Sequence, residues 1–434
     1  MSSRSETSLT DRKYVPESLK WLGIVSGILI LLGFLNIYSA TSYMNIESGV
    51  SPYSHLQRHV LFFLVSAVAA CFLARCPMSF IRNGSLVWGI GIAFLLLLVF
   101  MAGRNVNGAT RWISLGPLSV QPSEFAKVVG LIWTASHLAK LADAQVPISI
   151  IPRFLRPFLL FGSKKREDSF AEMFRYFKPI YLPLLFAVLV LKQPDMGTAG
   201  MILIFPLLLY VICGMSWKEV MTGFLLGVIA FFSLSVISPY RWARLIVLWD
   251  PFAYAQDEGF QTVQSLIAVG SGGIFGQGIG EGMSKFLYLP EQYTDFAFAV
   301  FAQEFGLIGS VAVLSLYVAF LFFGFMVAKE LRETYPALLV YGLTMMISVQ
   351  GMVNIAMVIG IFPVTGIPLP FISFGGSSLL TNCSALGLIW GTTVQSLRKV
   401  DEEERKKRIA AMEGRNVSLG RLSQSVYYES RRRY

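Results

Sequence analysis

Charge is scarce in this chain. Only 14% of its 434 residues are Asp, Glu, Lys or Arg, against about 25% in a soluble domain. With 54% hydrophobic residues and 34 Phe, that scarcity excludes a water-soluble globule. Cysteine is limited to Cys71, Cys76, Cys213 and Cys383, and histidine to His55, His59 and His137. No C-x-x-C pair or His-rich tract is present, so neither a disulfide framework nor a zinc module has its ligands. His55 and His59, spaced i, i+4, share a helix face but lack an adjacent third ligand. No internal repeat is visible, so an inverted-repeat transporter finds no support. A cleavable leader is also missing. The first 19 residues are polar, and the apolar run 21–37 has no small-residue cleavage site, which reads as an uncleaved first helix.

What is present is apolar length. About ten segments are long enough to cross a bilayer at about 20 residues each: 20–39, 57–75, 85–103, 121–140, 178–192, 197–214, 219–238, 298–328, 336–360 and 375–396. The expected fold is an all-α polytopic membrane protein. Its parts are an N-terminal tail (1–19), a transmembrane domain (20–397) and a basic C-terminal tail (398–434). Ten spans put both termini on one side. That side collects Arg4, Arg12, Lys13 and Lys20, the basic residues of the 141–177 loop, and eleven Lys and Arg after residue 396. Cytoplasmic segments carry such an excess, so both termini are expected in the cytoplasm. The same rule accounts for the formal charge of +10 without nucleic acid. The basic tail is expected to set topology and attract anionic lipid, or to bind a partner.

The opposite face receives a loop at 104–120, a large extracytoplasmic loop at 239–297 between the seventh and eighth spans, and a shorter loop at 361–374. Loops this long without a soluble fold are often functional. Asp295 ends the large loop, immediately before a new span. An acid there caps a helix, or it handles protons on a polar group carried by a lipid. Arg111 and Trp112 would flank the mouth of a polar cavity as a phosphate cation and an aromatic surface. Gln121-Pro122-Ser123-Glu124 opens the fourth span, and Glu124 and Lys127 share one of its faces as an ion pair or as part of that cavity. Lys192 and Asp195 sit in a tight turn, as a helix-end Lys and a cap or as further site groups. Arg241 and Arg244 lie i, i+3 on one helical turn. The Pro- and Gly-dense segment 360–378 breaks helix at membrane depth, which is tolerated only inside protein or beside a wet cavity. It frees Ser373, Ser377 and Ser378 to bond a head group, or it is a structural break alone. The glycine-rich run 270–280 lacks the strand, helix and Lys-Ser/Thr of a nucleotide loop and reads as tight turns beside the membrane.

Four ordered motifs carry a resemblance. Gln121-Pro122-Ser123-Glu124, Gln193-Pro194-Asp195-x-Gly197-Thr198, Leu289-Pro290-Glu291-x-x-Thr294-Asp295-Phe296 and Pro368-x-Pro370-Phe371-x-Ser373-x-Gly375-Gly376-Ser377-Ser378 together resemble the SEDS family of FtsW, RodA and SpoVE. The match runs from about residue 20 to 397. Residues 107–116 and 285–291 look more like the division branch, while 366–370 leans toward the elongation branch. The family commonly has His before the Thr, where this chain has Tyr293.

The resemblance implies a peptidoglycan glycosyltransferase that polymerises lipid II at the outer leaflet of the inner membrane. It also implies a class B penicillin-binding protein as transpeptidase partner, alongside other division-machinery membrane proteins. The family's essential Asp maps onto Asp295. A carboxylate base would activate the acceptor hydroxyl, and cations chosen from Arg111, Lys127, Lys192, Arg241 and Arg244 would steady the departing diphosphate. No cofactor is called for. A divalent cation on the diphosphate is left open, because no dedicated carboxylate cage is evident. The division branch, and with it septal synthesis, is the favoured expectation; the rivals are a RodA-like elongation polymerase, a lipid II flippase and a non-catalytic division scaffold.

Overall fold

The computed structural model describes residues 15–106, 109–115, 118–150, 170–282 and 289–431. The N-terminal tail up to residue 14, the basic cluster within 153–166, Lys285 and the terminal Arg432-Arg433-Tyr434 lie outside the described residues. Among the described residues there are thirteen α-helices: α1 Glu17–Glu47, α2 Ser54–Arg75, α3 Met78–Asn83, α4 Ser85–Ala102, α5 Pro122–Asp143, α6 Phe170–Lys192, α7 Met196–Ile212, α8 Trp217–Val236, α9 Pro239–Trp249, α10 Phe260–Ser271, α11 Ala297–Glu330, α12 Thr334–Val358 and α13 Gly376–Arg431. A helix covers each of the ten expected spans. By length and apolar composition α1, α2, α8, α11 and α12 are able to cross a membrane, and α4 and α7 are shorter apolar helices. At about 1.5 Å per residue, the 56 residues of α13 run far past a hydrocarbon core of about 30 Å.

One expectation needs amendment. The loop at 104–120 is not irregular but a three-stranded antiparallel sheet, β1 Arg104–Val106, β2 Ala109–Leu115 and β3 Leu118–Val120. Arg104 pairs with Trp112, and Ile113 pairs with Val120. The alternation in β2 puts Arg111 on the face of the buried Ile113 and Trp112 on the other. The 239–297 loop likewise contains α9, a 3-10 turn Phe252–Tyr254 and α10.

Burial sorts the helices into an inner and an outer set. In the apolar stretch of α12, 78% of residues are buried, against 11% in α2 and in α8. α12 packs on α11, α5 and α13, while α1 covers α11. α2, α4 and α8 expose Leu61, Val68, Phe72, Phe94, Phe224 and Ile229. A surface this apolar suits lipid and not water. The inner helices instead bury polar groups: Thr344, Ser348, Gln350 and Asn354 of α12 are fully enclosed.

Two helix breaks are repaired by neighbours. Pro183 lies inside α6 and has no N–H for the Pro179 carbonyl. Thr134 Oγ1 of α5 donates to that carbonyl at 2.8 Å. In α11 the helix breaks at Gly306, whose φ is +64°. The glycine-rich segment 272–280 closes the gap. Leu307 N and Ile308 N donate to the carbonyls of Gly273 (2.9 Å) and Ile274 (3.2 Å), and Gln277 N and Gly278 N donate to those of Gln303 (3.0 Å) and Glu304 (3.1 Å). A Cβ on Gly276 would stand 2.0 Å from the Glu304 carbonyl oxygen, so backbone can reach backbone only because side chains are missing. The half-helix that follows Asp295 is held in place this way.

Candidate functional site

The β1–β3 sheet, the α6–α7 turn, α9, the start of α11 and the α12–α13 loop all lie at one end of the bundle by connectivity. Their side chains converge on Gly366. A Cβ placed there would meet Asp295 Oδ2 at 3.3 Å and an Arg111 Nη at 3.7 Å. With φ of +70°, the position suits glycine on backbone grounds as well. The carboxylate and the guanidinium thus border one small vacancy.

Arg111 is held from two directions. Its Nη2 donates to the Pro194 carbonyl at 2.8 Å, and its Nε stands 3.7 Å from Asp195 Oδ2. Asp195 also caps α7, accepting from Thr198 N at 3.1 Å and Thr198 Oγ1 at 2.9 Å. It therefore caps α7 and also faces the space beside Arg111. Arg244 of α9 donates to the Val364 carbonyl at 2.6 Å, which ties α9 to the α12–α13 loop. Arg241, one turn earlier, approaches the Leu234 carbonyl at 3.4 Å. Arg111, Asp195, Arg241 and Arg244 line a cavity of about 260 Å³ together with Phe362 to Thr365 and the first turns of α7; Asp295 does not line it but adjoins it through Gly366 and Arg111.

Asp295 is partly accessible. Burial pushes its carboxyl from the ordinary 3.8 up to about 7. The Glu291 carboxylate adds to the rise, Arg111 and Arg244 oppose it, and Asp195 adds further. A carboxylate near neutrality is matched to proton abstraction at physiological pH. Glu291 is exposed, adopts a φ of +54° and accepts from Thr294 Oγ1 at 2.6 Å. Asp295 shows no capping bond to α11, so the cap reading is not what the geometry displays.

The other candidates stand apart from the cavity. Lys192 is exposed at the end of α6, and Trp112 lies on the opposite face of β2 from Arg111. Glu124 and Lys127 are buried and bond each other at 2.8 Å, and Lys127 Nζ also donates to Gln350 Oε1 at 2.6 Å. Gln121 N donates to Ser377 Oγ at 3.0 Å, joining α5 to α13. Ser373 Oγ accepts from Leu369 N at 2.9 Å within its own turn. Ser123 is buried beneath Gln121 at the start of α5. Tyr293 belongs to an aromatic cluster, 5.5 Å from the His55 ring and 5.9 Å from Phe374. Residue-by-residue reading missed Gly366, Glu291 and Asn354. Gln350 and Asn354, four apart in an otherwise apolar span, were the legible signal for an inward polar face. Among the described residues no three His, Cys, Asp or Glu side chains gather as a metal cage.

Fold and site together define a polytopic helical membrane protein with a raised-pKa carboxylate and a cluster of arginines at one end of its bundle. The comparisons place it more narrowly: the chain belongs to the cell cycle protein family of FtsW, RodA and SpoVE, which it matches over residues 20–397. It is 34% identical over 378 residues to the "Probable peptidoglycan glycosyltransferase FtsW" of Coxiella burnetii, covering 85% of this chain and 94% of that one. The similarly named protein of Alkalilimnicola ehrlichii is 35% identical over 401 residues, covering 90% and 93%. A chain of a peptidoglycan synthase complex, solved to explain how polymerization and crosslinking are coordinated, aligns with a TM-score of 0.67 and 25% identity over 86% of this chain and 97% of that one. The rod shape determining protein RodA of Thermus thermophilus aligns with a TM-score of 0.59 and 26% identity, covering 86% and 96%.

Proposed function

We propose that this protein is a peptidoglycan glycosyltransferase that polymerises lipid II into β-1,4 glycan, with Asp295 as general base. The observation that carries the reading is the meeting of the Asp295 carboxylate and the Arg111 guanidinium at the Cβ-less position 366. The acceptor hydroxyl gives its proton to Asp295 as its oxygen attacks the anomeric carbon of the growing strand. The bond to the prenyl diphosphate breaks, and the anomeric centre inverts from α to β. A placed base contributes about 10²–10⁴-fold. The leaving diphosphate already departs as a stabilised anion, so it needs positive charge and no acid. Arg111, Arg244 and Arg241 supply that charge. The cavity falls just below the range of about 300–1,000 Å³ typical of ligand sites. It therefore suits the diphosphate, while the disaccharide-peptide stays outside.

The reading carries its topology with it: ten crossings within 20–397, both termini cytoplasmic, and the site at the outer lip of the inner membrane. The names of the relatives favour a division role at the septum, with a class B penicillin-binding protein as crosslinking partner. Glu124 and Lys127 neutralise each other within the bundle, which favours chemistry at the lip over passage of a charged head group. The test is glycan formation from lipid II by purified full-length protein. Wild type is expected to make polymer and Asp295→Asn to lose it while inserting normally. Polymer from Asp295→Asn at the wild-type rate would remove the base assignment.

A further inference from the structure

Asp295 and Gly366 are 71 residues apart in sequence, and one side chain joins their segments. Asn354 of α12 is fully buried. Its Nδ2 donates to the Asp295 carbonyl at 2.8 Å and to the Ile367 carbonyl at 2.7 Å. Both hydrogens of one amide nitrogen are therefore used, each on a different chain segment. The reversed amide would press Oδ1 against two carbonyl oxygens, so hydrogen-bond chemistry dictates the orientation. One turn earlier, Gln350 Nε2 donates to the Pro368 carbonyl at 3.0 Å, and its Oε1 accepts from Lys127. α12 thus presents a two-rung polar face that grips residues 367 and 368, and its upper rung also grips Asp295. Among the described hydrogen bonds, that of Asn354 is the one joining residue 295 itself to this strip.

We propose that Asn354 is a positioning residue of the glycosyl transfer: by bridging the main chains of Asp295 and Ile367 it sets the carboxylate against Gly366 and Arg111. The inference rests on the reading of Asp295 as base. Asn354 need not touch substrate. It acts through Asp295, whose Oδ2 lies on the Gly366 side of the strip. Without the bridge, the segment that precedes α11 keeps its backbone tie to the loop two residues away, where Phe374 N donates to the Tyr293 carbonyl at 2.8 Å, but residue 295 itself is no longer pinned beside Ile367. A displacement of 1 Å at a reacting group costs about 10²-fold in rate.

The experiment uses full-length protein in detergent with lipid II as the probe, and scores rate per folded molecule over a pH series. Asn354→Ala is expected to lower kcat by about 10²-fold and to change KM less than about threefold. Asn354→Ser, which restores one donor, is expected to fall between Asn354→Ala and wild type. The acid limb of the rate profile is expected to move to lower pH in Asn354→Ala, because a loosened carboxylate gains water. The groups that face it are Glu291 on its own segment, Arg111 from β2, Arg244 from α9 and Asp195 before α7, and all four are left intact. A parallel Asp295→Asn arm separates two failures. Wild-type activity in that arm removes the base reading and this inference with it. If Asp295→Asn is inactive but Asn354→Ala keeps the wild-type kcat and pH limb, this inference alone is overturned. A loss of rate that disappears once folded protein is counted, with the limb unmoved, assigns Asn354 to folding and overturns it too.

Discussion

Asp295→Asn should stabilise the protein while inactivating it, and the gain should depend on pH. The carboxyl is raised from 3.8 to about 7, first by burial, then by Glu291. An acid whose folded pKa lies above its unfolded value binds its proton more tightly when folded. Folding is therefore favoured at low pH, and the advantage is lost as pH rises from about 4 to about 7. At 1.36 kcal/mol per pH unit the ceiling is about 4 kcal/mol. Solvent reaching the side chain screens this to about 2 kcal/mol. Asparagine has nearly the same shape and no charge to desolvate. In thermal unfolding at pH 8, Asp295→Asn should melt about 2–4 °C above wild type, a small shift because the chain is long. Near pH 4, where wild-type Asp295 is itself largely neutral, the two should melt together. The wild-type polymerisation rate should rise about tenfold per unit below pH 7, as the active fraction of base grows. An Asp295→Asn protein that melts at or below wild type at pH 8, or with the same offset at both pH values, would refute the claim that the carboxylate is held against its own solvation.

Gly366→Ala should reduce polymerisation by about 10²-fold, because the added methyl stands 3.3 Å from Asp295 Oδ2; the positive φ should cost a further 1–2 kcal/mol, roughly, in thermal unfolding. Arg111→Lys should raise KM for lipid II and lower kcat, since an ammonium cannot reach the Pro194 carbonyl and Asp195 together; the exposed Lys192→Ala should change either constant less than about twofold. Lys127→Met should destabilise by about 3–5 kcal/mol by leaving Glu124 buried without its cation; the double variant Glu124→Gln/Lys127→Met should recover most of that loss in the same melt.

Much of the architecture was legible because a bilayer imposes simple demands. A span needs about 20 apolar residues, and each of the ten segments drawn on that basis carries a helix. The sheet at 104–120 was not legible. Its strands are short, and two are only three residues long, so a period of two had little room to show. The glycine-rich run 270–280 read as turns, but its role in repairing the break at Gly306 depends on backbone contacts across about 30 residues. The site divided in the same way. Asp295, Arg111, Asp195, Arg241 and Arg244 were chosen from charge at the ends of apolar spans, and the structure gathers them at one end. Glu124, Lys127, Gln121, Ser373 and Ser377 were equally plausible by position, yet Lys127 Nζ, one Glu124 oxygen, the Gln121 backbone N–H and the Ser373 and Ser377 hydroxyls are engaged with protein.

By itself the sequence determined a multi-pass helical membrane protein, its family, and the acid that ends the large loop, because hydrophobic length and motif order are local properties of the chain. Only the tertiary structure decided which charges share a cavity, that position 366 favours glycine, and that Asn354 ties two distant segments together. Those outcomes follow from side-chain direction and carbonyl placement across helices packed far apart in sequence, and no local pattern encodes them.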